Sequence, residues 1–130
     1  MEGQRTHVVV VNDNPDFLEV MEELLRNERY SATTIDGDRA DAVAQIRQAK
    51  PDVLMIDLRL GTEGLHGWDV VNEVRADAQL RQLPTLICSA DLSALNDVQE
   101  EIEAMPHVAT LPKPFSIAEL TAKLDQLTGD

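Results

Sequence analysis

The sequence predicts a single α/β domain, in which helices cover both faces of a doubly wound parallel sheet of five strands. Five short apolar runs rich in Val, Ile and Leu alternate with five helical patterns along the 130 residues, and strict β–α alternation is typical of parallel sheets. The third run, Val53–Ile56, is continuously apolar, as in a strand that is buried on both faces. The chain length suits one domain with one core.

The first half of the chain supplies the first three strands and two helices. The first strand, His7–Val11, leads to Asn14 and Pro15, a favoured N-cap and a favoured first residue of a helix. A second strand is expected over Ser31–Ile35, and a second helix over roughly Arg39–Ala49. The continuous run described above then forms the third strand.

The second half repeats the alternation. A glycine-rich loop, Gly61–Gly67, precedes a third helix, and Pro84–Cys88 is expected to form the fourth strand. One fourth helix is expected to carry the apolar residues Leu92, Leu95, Val98, Ile102 and Met105. After a fifth strand over Val108–Leu111, Ser116 and Glu119 have the spacing of a capping box at the start of the last helix.

Charge and cysteine content restrict the classes of function. The formal net charge of −13 argues against direct binding to nucleic acids or to anionic membranes, both of which attract basic proteins. The single cysteine, Cys88, excludes an internal disulfide and fits a reducing compartment. The sequence has no apparent signal peptide and no apolar stretch long enough to span a membrane. We therefore expect a cytoplasmic protein.

Polar residues stand where the predicted strands end. Asn12 and Asp13 follow the first strand, Asp57 the third, Ser89 the fourth and Lys113 the fifth. Sheets of this class bind ligands at the carboxyl ends of their strands. Taken alone, each residue has a structural explanation: Asp13, for example, is an acid at a helix start, and Ser89 begins a turn. Their convergence on one sheet edge favours a functional site.

The chemistry of this set is that of phosphoryl transfer. Two neighbouring carboxylates suit Mg²⁺, or Mn²⁺ in its place, because Mg²⁺ takes one or two protein carboxylates together with water and phosphate oxygens. A lysine and a bound metal neutralise charge on a transferring phosphoryl group. A carboxylate is itself able to act as the nucleophile and to form an aspartyl phosphate.

Four segments resemble the receiver domain of bacterial two-component response regulators: "VVVVNDNPDFLEVMEELL", "PDVLMIDLRL", "PTLICSA" and "LPKPFSIAELTAKL". The resemblance runs from about Thr6 to about Leu127. It implies a flavodoxin-like fold with strand order 2-1-3-4-5. It also implies one receiver domain over residues 1–130, without an output domain, acting as a single-domain response regulator.

The resemblance assigns roles to particular residues. It implies that Asp57 accepts a phosphoryl group from a phosphohistidine on a sensor histidine kinase or a histidine phosphotransfer protein. Asp13, Asp57 and the backbone carbonyl of Arg59 would bind Mg²⁺. Ser89 matches the switch hydroxyl, and Lys113 matches the lysine that pairs with phosphoryl oxygens. The peptide bond between Lys113 and the following proline is expected to be cis.

Several residues depart from the family pattern. Asn12 stands where a second acid is usual, so we expect weaker Mg²⁺ binding, with Asn12 acting weakly or through water. Thr110 stands at the switch position that usually carries Tyr or Phe, which implies a smaller or different output movement. The loop over Gly61–Gly67 is about two residues longer than usual. Arg59 and Asp91 occupy positions that in the family tune the lifetime of the phosphoryl group.

Partners follow from the same resemblance. Besides the phosphohistidine donor, an unidentified downstream protein would bind the switching surface. Any homodimer would use the face formed by the fourth helix, the fifth strand and the last helix. The chain would then be a signalling switch that assists its own phosphorylation and dephosphorylation, and not a conventional enzyme.

Three alternatives stay open at this point. The first is a pseudo-receiver that binds proteins without being phosphorylated, which Asn12 and Thr110 favour and the retained Asp57 opposes. The second is a phosphatase of the haloacid dehalogenase type, which the missing D-x-D after the first strand opposes. The third is a flavin-binding flavodoxin, for which the acidic turn "NDNPD" is a poor phosphate cradle.

Overall fold

Five parallel strands form one sheet in the computed structural model, which describes residues 5–37, 41–60 and 66–129. In chain order they are β1 (His7–Asn12), β2 (Ser31–Asp36), β3 (Val53–Asp57), β4 (Thr85–Ser89) and β5 (Val108–Pro112). Their order across the sheet is β2-β1-β3-β4-β5, and every neighbouring pair is parallel. The expected doubly wound, flavodoxin-like fold is therefore confirmed.

Within the described residues, six helices accompany these strands. They are α1 (Pro15–Asn27), α2 (Ala42–Ala49), α3 (His66–Ala76), α4 (Leu92–Asp97), α5 (Gln99–Ala104) and α6 (Ile117–Thr128). No helix within the described ranges is both long and apolar enough to cross a bilayer.

The sheet separates two apolar cores. Val8 and Val10 of β1 face one side, where they join the buried residues of α1 and α6. Val9 and Val11 face the other side, where they join buried residues of α2, α3, α4 and α5. Burial on both faces explains why β1 and β3 are continuously apolar, since successive side chains of a strand point to opposite faces.

The structure extends three strands by one polar residue at the end where the site was expected. Asn12, Asp57 and Ser89 are the last residues of β1, β3 and β4, whereas the sequence pattern placed them just after the strands. Because they belong to the sheet, its hydrogen bonds hold their backbones. Pro84, which was expected to open the fourth strand, precedes it.

The prediction of one continuous fourth helix is wrong, because the segment is broken into two short helices at Val98. The amide of Val98 donates to the carbonyl of Leu95, three residues back, at 3.3 Å, which tightens the turn there. Val98 and Ile102 are nevertheless buried in the same core. The apolar periodicity continues across the break, so the sequence pattern could not reveal that the helix is interrupted.

Other local predictions concern caps and loops. The side chain of Asn14 accepts hydrogen bonds from the first turn of α1, and Ser116 and Glu119 form the capping box of α6, so both predictions are confirmed. The expected cis bond between Lys113 and Pro114 is also present. The expected start of the second helix at Arg39, and residues 61–65 of the glycine-rich loop, lie outside the described residues.

Candidate functional site

The carboxyl ends of β1, β3 and β5 bring Asn12, Asp57 and Lys113 into contact. The ammonium of Lys113 lies 2.7 Å from Oδ2 of Asp57, and Nδ2 of Asn12 donates to the same oxygen at 3.4 Å. The three residues come from sequence positions far apart, and the strand order places β1 and β5 on either side of β3 and β4. The sheet therefore assembles the central part of the predicted site.

The carboxylate of Asp57 is fixed at both oxygens. Besides the two donors at Oδ2, the backbone amide of Arg59 donates to Oδ1 at 2.9 Å. The Asp57 side chain is 14% exposed, so it is shielded but open to solvent. Hydrogen bonds to both oxygens hold a carboxylate in one orientation, and Asp57 is thus presented in a defined pose at the sheet edge.

Lys113 is positioned by both its backbone and its side chain. Its amide donates to the carbonyl of Ser89 at 2.8 Å, which continues the β4–β5 ladder to the end of the sheet. Its ammonium lies over the ring of Phe17, 4.2 Å from the ring centroid. The sequence analysis did not identify Phe17 as part of the site, because no spacing rule connects a helix residue to a lysine almost a hundred positions later.

Asn12 links the site to the start of α1. Its side-chain oxygen accepts from the amide of Asn14 at 2.9 Å, and its nitrogen points at Asp57. Asn12 is buried, and both the oxygen and the nitrogen of its side-chain amide have protein partners, as is usual for buried polar groups. The group that faces the carboxylate is therefore a hydrogen-bond donor, where the family usually carries an acid.

Ser89 lies one register step beyond Asp57, because Cys88 is the residue that pairs with Asp57 across β3 and β4. Its hydroxyl oxygen accepts from the amide of Asp91 at 3.0 Å. Ser89 is buried at 1% exposure. The predicted switch hydroxyl is thus held in the turn that leads to α4, next to the site.

An ion pair joins the segments that follow β3 and β4. Nε of Arg59 lies 2.6 Å from Oδ2 of Asp91, while Oδ1 of Asp91 accepts from the amide of Ala94 at 2.9 Å and so caps α4. The Ala94 amide first, and then the Arg59 guanidinium, hold the pKa of Asp91 below its ordinary value. The pattern of an aspartate before an apolar helix would have revealed the cap.

The remaining predicted residues lie at or next to the carboxyl ends of the strands. Asp13 is exposed directly after β1, and Thr110 is half-buried in β5 opposite Ile87 of β4. Cys88 is fully buried beside Asp57, and burial raises the pKa of its thiol to about 12. This thiol is therefore protonated and unreactive near neutral pH.

The donor set is compatible with a hard divalent cation. Within the described ranges, no group of three or more His, Cys, Asp or Glu side chains is arranged to hold a metal ion. Mg²⁺ does not require such a group, since one or two carboxylates with waters satisfy it. Asp13 and Asp57, at the ends of the adjacent strands β1 and β3, supply two carboxylates, and all the candidate ligands here are oxygens.

Several response regulators and related regulatory proteins match almost the whole length of this chain. It is 33% identical over 128 residues to the probable transcriptional regulatory protein TcrX of Mycobacterium tuberculosis, covering 97% of this chain and 51% of TcrX. It is 31% identical over 124 residues to the DNA-binding response regulator MtrA of Mycolicibacterium smegmatis, covering 95% and 51%. The chain thus spans about half the length of these relatives.

Solved structures show the same fold. The chemotaxis protein CheY4 of Vibrio cholerae superposes with a TM-score of 0.80 at 23% identity, covering 95% of this chain and 99% of CheY4. The receiver domain of the sensor histidine kinase PA1611 of Pseudomonas aeruginosa, solved with magnesium in its active-site cleft, superposes with a TM-score of 0.79 at 28% identity, covering 98% and 100%.

A match to a family profile agrees with these similarities. The profile of the response regulator receiver domain matches residues 8–125, which include every strand end that carries the site. With the strand order and the Asp57–Lys113 contact described above, the chain belongs to the response regulator receiver domain family.

Proposed function

We propose that this receiver domain is a phosphorylation-dependent signalling switch in which Asp57 accepts the phosphoryl group. The observation that carries the proposal is the 2.7 Å contact between Lys113 and Asp57 at the carboxyl edge of the sheet. This contact means that a positive charge lies beside the carboxylate that would attack phosphorus. Membership of the receiver family supports the same role.

The chemistry needs one nucleophile and nearby positive charge. An oxygen of Asp57 forms a bond to phosphorus as the bond between phosphorus and the donor's imidazole nitrogen breaks, and the imidazole leaves with the bonding electrons and takes up a proton. Lys113 then pairs with phosphoryl oxygens in place of the Asp57 carboxylate. The hydroxyl of Ser89 leaves the amide of Asp91 to donate to a phosphoryl oxygen, which connects the reaction to α4.

Mg²⁺ is the proposed cofactor. Asp13, Asp57 and the carbonyl of Arg59 would hold it, and it would supply positive charge to the phosphoryl oxygens. Asn12 would act weakly or through a water, because its side-chain oxygen already accepts from Asn14. The magnesium in the receiver domain of PA1611 supports this proposal.

The proposed phosphodonor is a histidine kinase or a histidine phosphotransfer protein, as for response regulators in general. The net charge of −13 still argues that this domain itself does not bind nucleic acid. Relatives named as DNA-binding regulators are about twice as long as this chain, so that property concerns proteins with additional sequence. A homodimer through the face of α4, α5, β5 and α6, which correspond to the predicted fourth helix, fifth strand and last helix, stays a prediction.

One observation favours a second candidate function, a pseudo-receiver that binds partners without phosphorylation. Three donors, from Asn12, Arg59 and Lys113, already occupy both oxygens of Asp57, and one of them replaces an acid usual in the family. Such a carboxylate is satisfied without a metal. The two functions differ in whether Asp57 reacts.

Intact-mass measurement after incubation with acetyl phosphate, with and without Mg²⁺, tests the proposal. We expect a Mg²⁺-dependent gain of one phosphoryl group in the wild-type chain and no gain in Asp57→Asn. Asp36→Asn is the matched control, because Asp36 is an exposed acid at the end of the edge strand β2, from which β1 separates β3; it should react like the wild type. No gain in the wild type under either condition would support the pseudo-receiver instead.

A further inference from the structure

We propose that Phe17 is a positioning residue for phosphoryl transfer, acting by holding the ammonium of Lys113 over its ring. The inference rests on the proposed function and adds to it a residue outside the sheet edge. The geometry that carries it is a pair of contacts made by one ammonium: 2.7 Å to Oδ2 of Asp57 and 4.2 Å to the ring centroid of Phe17.

The ring is held in place by the start of α1. Phe17 is the third residue of this helix, and its amide donates to the side chain of Asn14 at 3.3 Å, while the amide of Asp16 donates to the same oxygen at 2.9 Å. The Phe17 side chain is half-buried and packs against the core that β1 shares with α1 and α6. The helix cap and the core thus fix the ring independently of Lys113.

The surroundings should make the attraction between the ammonium and the ring stronger than the same contact on an open surface. Phe17 and Lys113 line an open groove of about 510 Å³ between α1 and the segment after β5. Among the described residues that line it, Lys113 carries the only charge, and the others are apolar, including Val20, Met21, Ala90 and Phe115. In such a place the face of an aromatic ring replaces part of the hydration that an ammonium loses.

Lysine needs such a support because its stem is flexible. A four-carbon chain with a compact charge samples many rotamers, and only some of them place Nζ at Asp57. The two contacts come from different elements, Asp57 on β3 and Phe17 on α1, and together they restrict the ammonium. A charge that is already in place costs no reorganisation when the reaction occurs.

The contact with Phe17 also differs from the contact with Asp57 in how it responds to the reaction. Once Asp57 is phosphorylated, its carboxylate becomes a neutral acyl group, so the ion pair at Oδ2 is lost. The attraction between the ammonium and the ring does not depend on that charge. Phe17 therefore keeps Lys113 at the site both before and after the phosphoryl group arrives.

Three variants separate this role from simple packing. Phe17→Leu removes the ring and keeps an apolar side chain, and Phe17→Tyr keeps a ring. Phe115→Leu is the matched control, because Phe115 lines the same groove, whereas the ring described beneath the Lys113 ammonium is that of Phe17. Should Phe17→Leu fail to fold, Phe17→Met, which is also apolar and ringless, takes its place.

The first measurement is the NMR shift of the Lys113 ε-methylene protons, which a ring beneath the ammonium moves upfield. The second is the rate constant of phosphorylation by acetyl phosphate at saturating Mg²⁺, and the third is the urea midpoint. For Phe17→Leu we expect the upfield shift to disappear and the rate constant to fall about three- to tenfold, as expected for the loss of a partly desolvated cation–π contact. Phe17→Tyr and Phe115→Leu should keep both the shift and the rate.

The outcomes are distinct. A wild-type rate in Phe17→Leu, with the shift lost, would overturn the inference and leave the proposed function standing. If Phe17→Leu, Phe17→Tyr and Phe115→Leu are all slowed, each in proportion to its loss of stability, the result would overturn the inference in favour of a packing role. If the wild-type chain gains no phosphoryl group, the proposed function fails, and the inference that rests on it fails too.

Discussion

At the scale of single residues, Gly67 shows how closely the site is built against α3. A Cβ atom added at this position would lie 1.8 Å from the carbonyl oxygen of Asp57 and 2.7 Å from that of Leu58. Both neighbours are backbone atoms, so no side chain is free to rotate away. The second residue of α3 must therefore lack a side chain for the helix to approach the end of β3.

We predict that Gly67→Ala destabilises the protein by about 3 kcal/mol, because β3 and α3 must separate to admit the methyl group. Helix propensity alone predicts the opposite sign, a gain of up to about 1 kcal/mol for alanine over glycine. Urea denaturation measures the difference. Gly37→Ala is the control, since the three atoms nearest to its Cβ would be side-chain atoms of Leu60 and Val11, and it should cost about 1 kcal/mol. Equal costs for the two variants would contradict the backbone explanation.

Sequence reasoning identified some residues of the site and missed others for a physical reason. Asp57 and Lys113 were predictable, because the carboxyl ends of parallel strands meet at one edge and these residues stand at those ends. Phe17 and Gly67 were not identified, since their roles depend on how α1 and α3 pack against that edge. The donor that Asn12 turns toward Asp57 is also set by a tertiary contact, to Asn14.

At the scale of elements, α4 depends on the acid that joins it to the site. Asp91 caps the first turn of this six-residue helix through Ala94 and is paired with Arg59, which follows β3. Its own amide is bound to the hydroxyl of Ser89. A helix this short has little stability of its own, so the position of its first turn follows the position of Asp91.

The charge of Asp91 should make this stabilisation depend on pH. Its folded-state pKa is lowered from the ordinary 3.8 by the Ala94 amide and the Arg59 guanidinium. A carboxyl group with a lowered folded pKa contributes stability that is fully present above its unfolded pKa and is lost as the pH falls through its folded pKa. We therefore predict that Asp91→Asn lowers the urea midpoint at about pH 7, and that the difference from wild type shrinks below about pH 4.

The matched control for this prediction is Asp97→Asn, because Asp97 is an exposed acid at the other end of α4. Removal of a negative charge near a helix carboxyl end is neutral or slightly stabilising, so the sign of the effect should differ. A difference between Asp91→Asn and wild type that stays constant from pH 7 to acid conditions would contradict the proposed charge effect. Such a result would mean that Asp91 acts through the geometry of its hydrogen bonds and not through its charge.

The fourth predicted helix marks the limit of periodicity as evidence about elements. Of the apolar residues in the pattern, Leu95, Val98 and Ile102 are buried in the core, whereas Leu92 is 60% exposed. It could not reveal the break at Val98, because residues on either side of one tightened turn still face the same way. Caps were predicted better, since Asn14 and Ser116 act through bonds to residues within three positions of themselves.

At the scale of the whole molecule, the fold was predictable because β–α alternation leaves little choice of topology. Connections between parallel strands are right-handed and helices must cover both faces, so five units give few arrangements. Periodicity alone did not select the order 2-1-3-4-5; the family resemblance did, and the structure confirms it. The expected extent of the domain, residues 1–130 without an output domain, stays a prediction.

The surplus of acid is a property of the whole molecule and should govern how its stability responds to salt. The chain has 24 Asp and Glu residues against 11 Lys and Arg residues, and several of these acids lie together on the exposed face of α1. Like charges at this density repel one another in the compact state, and salt screens the repulsion. We predict that raising NaCl from about 0.05 M to about 0.5 M increases the free energy of unfolding by about 1 kcal/mol.

Urea denaturation at the two salt concentrations measures this, and a double variant of α1 supplies the control. Glu19→Gln with Glu23→Gln removes two exposed charges from one helix face and leaves the Glu22–Arg26 ion pair intact. This variant should be more stable than wild type at low salt and should gain less from added NaCl. A loss of stability with salt in the wild type would mean that attractive pairs such as Arg47–Asp77, at 2.5 Å, outweigh the repulsion.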